Sequence, residues 1–375
     1  MSMATTVNSS PRDAGLIPRI KGVFERHEKY TGIAVFGAGF IWDSLTLTRV
    51  DNVIDNLFLL FYLALIAALI VFTLRRQCGK APAACLQKLE PRFLWAMQFC
   101  FGGLFSSYVI FYFKSASFTR TQFFFLVLVV LWIGNEFLEQ RLGNPTLLAG
   151  LYCFCLFSFL AFFLPVIFAK VSVWIFLFAG IVSMAASLAL FALALRADSG
   201  EWRRRMTPVA GCVASIFVGL NILYFANLIP PVPLALKSAG IYHHVTRTPA
   251  GYQVEYVPPP LTRFWRQWDN PFYFSPGESI YCYTAVFAPG QVRVPVRHVW
   301  SRKSRSEWVQ TDRIGFEIAG GREGGYRGYT SKNGVTPGDW RVEVETERGQ
   351  ILGRIDFKVV PGPDPHPALS TRLIR

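Results

Sequence analysis

The sequence predicts a membrane all-α bundle of about seven transmembrane helices followed by an all-β domain of immunoglobulin-like sandwich type. Three observations lead there. Charged residues make up 17% of the chain, against about 25% in soluble domains. The charge is uneven: residues 1–228 hold 19 Lys and Arg with 11 Asp and Glu, whereas the shorter 229–375 holds 19 and 13. The apolar pattern also changes, from long uninterrupted runs before residue 229 to strict alternation after it.

A spanning helix needs about 20 mostly apolar residues. Ile33–Leu47 is the weakest candidate because it contains Asp43. Leu57–Leu74 ends at Arg75-Arg76, Phe93–Phe113 lies between Arg92 and Lys114, and Gln122–Phe137 between Arg120 and Glu139. Leu147–Leu195 has Lys170 as its one charge and is too long for a single helix, so Pro165 to Ser172 is expected to be a hairpin between two spans. Val209–Leu228 is the last span, closed by Pro230, Pro231 and Pro233.

Basic residues orient the spans, because loops on the cytoplasmic side are enriched in Lys and Arg. With the N-terminus inside, the inner segments hold 15 basic residues and the outer loops hold 4, namely Arg49, Lys114, Arg120 and Lys170. Seven spans then put the C-terminal domain outside. About 30 polar residues precede the first apolar run, so no cleavable signal peptide is expected. Leu16, Ile20, Val23 and Phe24 share one face of a basic amphipathic helix suited to the inner membrane surface. The domain plan is a cytoplasmic segment over 1–30, spans over 31–229, a connector with the first strands over 230–262, the β-sandwich over 263–361 and a flexible tail over 362–375.

Beyond the prolines the pattern has period two. Val292, Val294 and Val296 alternate with Arg293, Pro295 and Arg297; Ile314, Phe316 and Ile318 with Gly315, Glu317 and Ala319; Trp340, Val342 and Val344 with Arg341, Glu343 and Glu345. Ile351, Ile355, Phe357 and Val359 complete a further strand. The loop 346–350 with Gly349 joins the last two as a hairpin, setting Arg341, Glu343 and Glu345 across from Arg354, Asp356 and Lys358 as opposite-charge pairs. Ser279–Phe287 and Ile241–Val257 add strands.

The ordered motifs Trp265…Trp268, Phe274-Ser275-Pro276-Gly277, Tyr283-Thr284-Ala285-Val286, His298-Val299-Trp300, GGREGGYRGYTSK, PGDWRVEV and GQILGRIDFKVV resemble a bacterial C-terminal domain of unknown function, number 2914 in its naming scheme. The resemblance covers about the last 110 residues. The stretch WDSLTLTRVDN at Trp42–Asn52 resembles the uncharacterised multi-span region that often precedes that domain. The resemblance implies a bacterial inner-membrane protein with a periplasmic β-domain, and it implies no activity.

Two groups of residues stand out. Asp43, Arg49, Asp51 and Asp55 collect where the first two spans meet; they fit an ion site or, more simply, caps and an ion pair at an outer hairpin. The glycine-rich stretch Gly320–Lys332 carries Arg322, Arg327, Tyr329 and Lys332. It lacks the phosphate-loop order, and no helix follows it. An RNA reading would need cytoplasmic access, which the orientation denies. A surface for an envelope protein, lipid headgroup or glycan remains, set against a glycine-rich bend feeding Tyr326–Thr330 into a sheet.

No residue set suggests catalysis, a cofactor or a metal. His243 and His244 are adjacent and would point to opposite strand faces, while His298 falls on an apolar face as a buried, hydrogen-bonded core residue. Glu136, Asn135 and Asn221 read as interhelix hydrogen-bonding groups. One cysteine in the C-terminal domain, Cys282, forms no internal disulfide, and the membrane cysteines read as packing. These observations favour a non-enzymatic envelope protein embedded in the lipid bilayer, with no nucleic-acid partner. The alternatives are a transporter or channel using Asp43, Glu136 and Asn221, and a membrane enzyme acting on lipid-linked substrates.

Overall fold

The computed structural model describes residues 41, 43, 52–78, 90–115, 122–135, 141–196, 201–230, 233–258, 268–275, 277–290, 292–321, 324–362 and 368–374. The chain divides into two compact units, Met1–Thr48 and Arg49–Arg375. In the first, the described residues are Ile41 and Asp43, both helical. The rest of the expected first span and the amphipathic helix lie outside the described residues.

Among the described residues the second unit begins with six helices: α1 Val53–Gln77, α2 Glu90–Ser115, α3 Gln122–Asn135, α4 Pro145–Ile167, α5 Val173–Leu195 and α6 Trp202–Phe225. All except α3 are long and apolar enough to cross a membrane. With 14 residues α3 spans roughly 21 Å, short of a hydrocarbon core of about 30 Å. Caps set the helix starts. The Asn52 side chain accepts from the Ile54 amide at 2.9 Å, Asn144 accepts from Thr146 at 2.9 Å ahead of Pro145, and Ser172 accepts from Trp174 at 3.3 Å. The turn between α4 and α5 falls in the later part of the expected 165–172 segment: Pro165 stays inside α4, and Phe168 to Ser172 make the reversal.

The helices run alternately up and down. At one end Gln77 donates to the Gly143 carbonyl at 3.0 Å, and the Phe72 and Phe93 rings meet edge to face at 4.7 Å. Also at this end, the Asn135 amide donates to the Gln98 carbonyl at 2.9 Å while Gln98 donates back to the Asn135 carbonyl at 3.1 Å. This end carries Arg75, Arg76, Arg141, Arg196 and Arg203–Arg205. Within the bundle Tyr108 donates to the Cys155 carbonyl at 2.8 Å, and Gly180 lets the Phe157 and Phe217 rings close over α5. Phe58, Phe61, Phe99, Leu126, Ile181 and Ile222 are exposed, a coat expected of helices solvated by lipid.

Among the described residues eleven strands follow: β1 Ala235–Tyr242, β2 His244–Thr248, β3 Gly251–Tyr256, β4 Phe272–Phe274, β5 Ile280–Phe287, β6 Arg293–Ser304, β7 Glu307–Ala319, β8 Tyr326–Lys332, β9 Gly338–Thr346, β10 Ile351–Pro361 and β11 Ser370–Ile374. They form sheets in the orders β1-β5-β8, β4-β10-β9-β6-β7 and β11-β3-β2. β5 is buried along nearly its whole length because both of its faces are covered. Ile280, Cys282 and Val286 point towards the five-stranded sheet, into cores with Trp300, Trp340, Phe357, Val296 and Val344. Tyr283 and Ala285 point the other way, onto Tyr242, Val245 and Val254.

The β region therefore has three layers where two were expected. The segment 230–262, expected to hold the first strands, supplies β1 to β3, with β1 an integral strand of the middle sheet. The tail expected to be flexible contains β11, which pairs with β3 from Ser370–Tyr256 to Ile374–Tyr252. The β9–β10 hairpin forms as predicted. Gly349 adopts φ 76°, and Glu343–Arg354 and Arg341–Asp356 face each other in register. Glu345 departs from the expected ladder: it opposes Ile351 and binds Arg313 at 3.0 Å.

The β region sits on the end of the bundle opposite the arginines. Val171 of the α4–α5 turn packs on the core of Leu234, Val286, Ala288 and Val292. Tyr112, Pro165, Phe176, Tyr224, Ile229, Pro230 and Gln350 line a small gap at the joint.

Candidate functional site

The described residues of the group predicted for the glycine-rich stretch do not share one surface. Arg322 lies outside the described residues. β8 alternates, so Tyr326, Gly328, Thr330 and Lys332 face the five-stranded sheet, where Lys332 is ion-paired with Asp312 and stands 5.5 Å over the Trp340 ring. Arg327 and Tyr329 face the third sheet. There Tyr252 donates to the Arg327 carbonyl at 3.1 Å, and Tyr329 stacks near Tyr252 and Tyr281 at 6.2 and 6.0 Å. Tyr329 is 40% exposed at the rim of this tyrosine cluster. Burial pushes the Tyr283 phenol beneath it up to about 12, opposed by the nearby Arg327 charge. The glycines before β8 are a bend: Gly320 closes onto the Pro289 carbonyl, and Gly321 and Gly325 have φ of 89° and 83°.

Of the other predicted group, Arg49 and Asp51 lie outside the described residues, Asp43 belongs to the first unit, and Asp55 stands in the first turn of α1, where a carboxylate favours the helix dipole. Asn135 serves the α2–α3 contact, Asn221 donates to the Phe217 carbonyl of its own helix at 2.8 Å, and Glu136 lies outside the described residues. His298 is fully buried between two threonine hydroxyls, each 2.9 Å away, and burial holds it neutral with a pKa lowered to about 3.

Two arrangements were not foreseen. The first is a buried polar cluster. His243 points inward and His244 outward, so the expected divergence holds, but His243 lands between two acids that are distant in sequence. Its Nδ1 meets Glu278, and its Nε2 lies 3.8 Å from Asp269, beyond hydrogen-bond reach. The ring stacks on Phe272 at 4.2 Å. Asp269 accepts from the Val257 amide at 2.7 Å, and Glu278 accepts from the Ser275 amide at 2.9 Å. Desolvation first, and Glu278 repulsion second, push the Asp269 carboxyl up to about 8. The cluster ties the end of β1 to the segment around β4. Among the described residues no group of three His, Cys, Asp or Glu is placed to hold a metal.

The second is a shallow cleft of about 300 Å³ on the five-stranded sheet, lined by Trp308, Trp340, Asp339, Arg341, Asp356 and Lys358 with Asn270 and Phe357. The Arg341 guanidinium lies 4.0 Å over the Trp308 ring and binds Asp356 at 2.5 Å. Trp308 begins β7, whose other end lies beside the bundle. Ten residues at about 3.3 Å each put the cleft some 33 Å along the strand from Ile318. Sequence patterning could flag Trp308 only as a partly buried strand residue; the cleft needs three strands in register.

Residues 294–359 match the family described as Protein of unknown function (DUF2914), the family that the C-terminal motifs resemble. The match spans β6 to β10 and leaves out β1 and β5, which complete their cores. No curated protein matches the chain. Among solved structures, a Pseudomonas fluorescens alkylpurine DNA glycosylase AlkC bound to DNA containing an abasic site analog aligns over 83% of this chain and 99% of its own. The identity is 10% and the TM-score 0.21, too low to bear on fold or function.

Proposed function

We propose that the protein is a non-enzymatic, seven-span bacterial inner-membrane protein that holds an immunoglobulin-like β-sandwich, widened by a third sheet, in the periplasm to bind an envelope component. The observation that carries this reading is the placement of the β region on the arginine-poor end of the bundle. Arg75, Arg76, Arg141, Arg196 and Arg203–Arg205 gather at the far end, which the positive-inside bias assigns to the cytoplasm. The seventh span of this reading rests on the apolar sequence over 33–47, most of which lies outside the described residues. The packing of Val171 on the Leu234 core supports a β region seated on the bundle, with Tyr329, Arg327 and the Trp308 cleft on its sheets.

A cysteine introduced at the exposed Ser304, probed in intact cells with a membrane-impermeant maleimide that crosses the outer membrane, tests the reading. Labelling without disruption of the inner membrane is expected. Labelling that requires inner-membrane lysis would overturn it.

A further inference from the structure

We propose that the cleft at Trp308 binds a neutral saccharide chain, a deepening that rests on the reading of the β region as a binding domain. The charge of the cleft selects the ligand class. Asp339 and Asp356 offset Arg341 and Lys358, so the lining is formally neutral although residues 229–375 carry an excess of six basic groups, 19 against 13. A phosphate or polyanion would be drawn to the basic surface elsewhere on the domain.

The shape selects further. The cleft lies at the low end of small-ligand volumes, about 300–1,000 Å³, and opens broadly to solvent, which suits a chain crossing the surface better than an enclosed metabolite. One face of its indole wall is covered by Arg341, itself held by Asp356, and the remainder of the partly exposed Trp308 ring, fixed in orientation by that contact, is what lines the cleft. A sugar ring offers a C–H face to such a wall and hydroxyls around its rim. Carboxylates at Asp339 and Asp356 accept from hydroxyls, and the Lys358 ammonium donates to them.

A peptide fits less well. Asn270 already occupies the β10 backbone at the cleft, donating to the Asp356 carbonyl at 3.3 Å and accepting from the Lys358 amide at 3.2 Å. An extended peptide therefore finds no strand edge to extend there.

The test is calorimetric titration of the full chain in lipid nanodiscs, since sugar-headed detergents would compete. The probes are chitotetraose, maltotetraose, cellotetraose and a β-1,3-glucan tetramer, with inorganic polyphosphate as the anionic control. At least one neutral tetrasaccharide is expected to bind saturably. Trp308→Ala and Asp339→Asn should each weaken that binding at least tenfold, Trp308→Phe should retain most of it, and His244→Ala should leave it unchanged. The proposal is overturned by no binding from any of the four, by binding that Trp308→Ala leaves intact, or by displacement of the sugar by polyphosphate. Because the titration uses purified protein, a cytoplasmic location of the β region in the labelling experiment would sink the envelope role without touching this result.

Discussion

The helical bundle and the β region solve the same burial problem in opposite ways. In the bundle, backbone groups are satisfied within each helix and apolar side chains point both inward and outward, so burial alone does not say which face meets which neighbour. Fit between rings and small residues decides it, as where Phe157 and Phe217 close over Gly180, with a few hydrogen bonds such as Gln98–Asn135. In the β region, water on the outer faces makes alternation the organiser. Polar groups that still end up inside need partners of their own: His298 has two threonine hydroxyls, and one oxygen of Asp269 accepts from the Val257 amide. Polar pairs add little net stability between the helices, whose separated forms also find partners, and more between the sheets.

The sharpest way to break that contrast is at Trp300, fully buried between the sheets. Trp300→Ala should cost about 3–5 kcal/mol and unfold the β region at a lower temperature than the bundle, seen as two separated transitions in a thermal melt. A single unchanged transition would mean that the two regions do not differ as described.

Next comes Asp269. Its folded pKa of about 8 lies above the ordinary carboxylate value of 3.8, so between those values the folded state keeps a proton that the unfolded chain releases. Stability should therefore fall as pH rises through that window, by on the order of a few kcal/mol from this group. Asp269→Asn, with no proton to lose, should flatten the dependence when melting temperature is followed from pH 5 to 9.

In the bundle, Asn135→Leu should cost about 0.6–1.7 kcal/mol, because the polar groups of separated helices also find partners within the membrane, which keeps the net worth of such a pair small. Detergent-resistant unfolding by far-ultraviolet dichroism measures it. Smallest of all, Glu343→Gln opposite Arg354 should cost about 0.2–1 kcal/mol, with the difference shrinking in high salt.

Much of the chain was legible from its residues. Five span positions, the hairpin at Gly349 and the inward His298 all follow from local chemistry that acts within a turn or a strand. The third sheet was not legible, because β11 is separated from β3 by more than a hundred residues and its five-residue pattern Ser370–Ile374 looks like a solvated tail. Nor was the pairing of His243 with Asp269 and Glu278: lone polar residues signal nothing until chain reversal brings them together. Lys332 looked like a partner of Arg327 and Tyr329 because the three are close in sequence, yet the period of two sent it to the other face.

What the sequence determined alone is everything governed by short-range periodicity: apolar runs long enough for a bilayer, and the strands with their inner faces. What only the tertiary structure decided is which surfaces meet. The two-sided burial of β5, the seating of the β region on the arginine-poor end of the helices, and the neutral cleft at Trp308 all depend on contacts between residues far apart in the chain. Such contacts arise from shape and closure of the whole chain, and no local pattern encodes them.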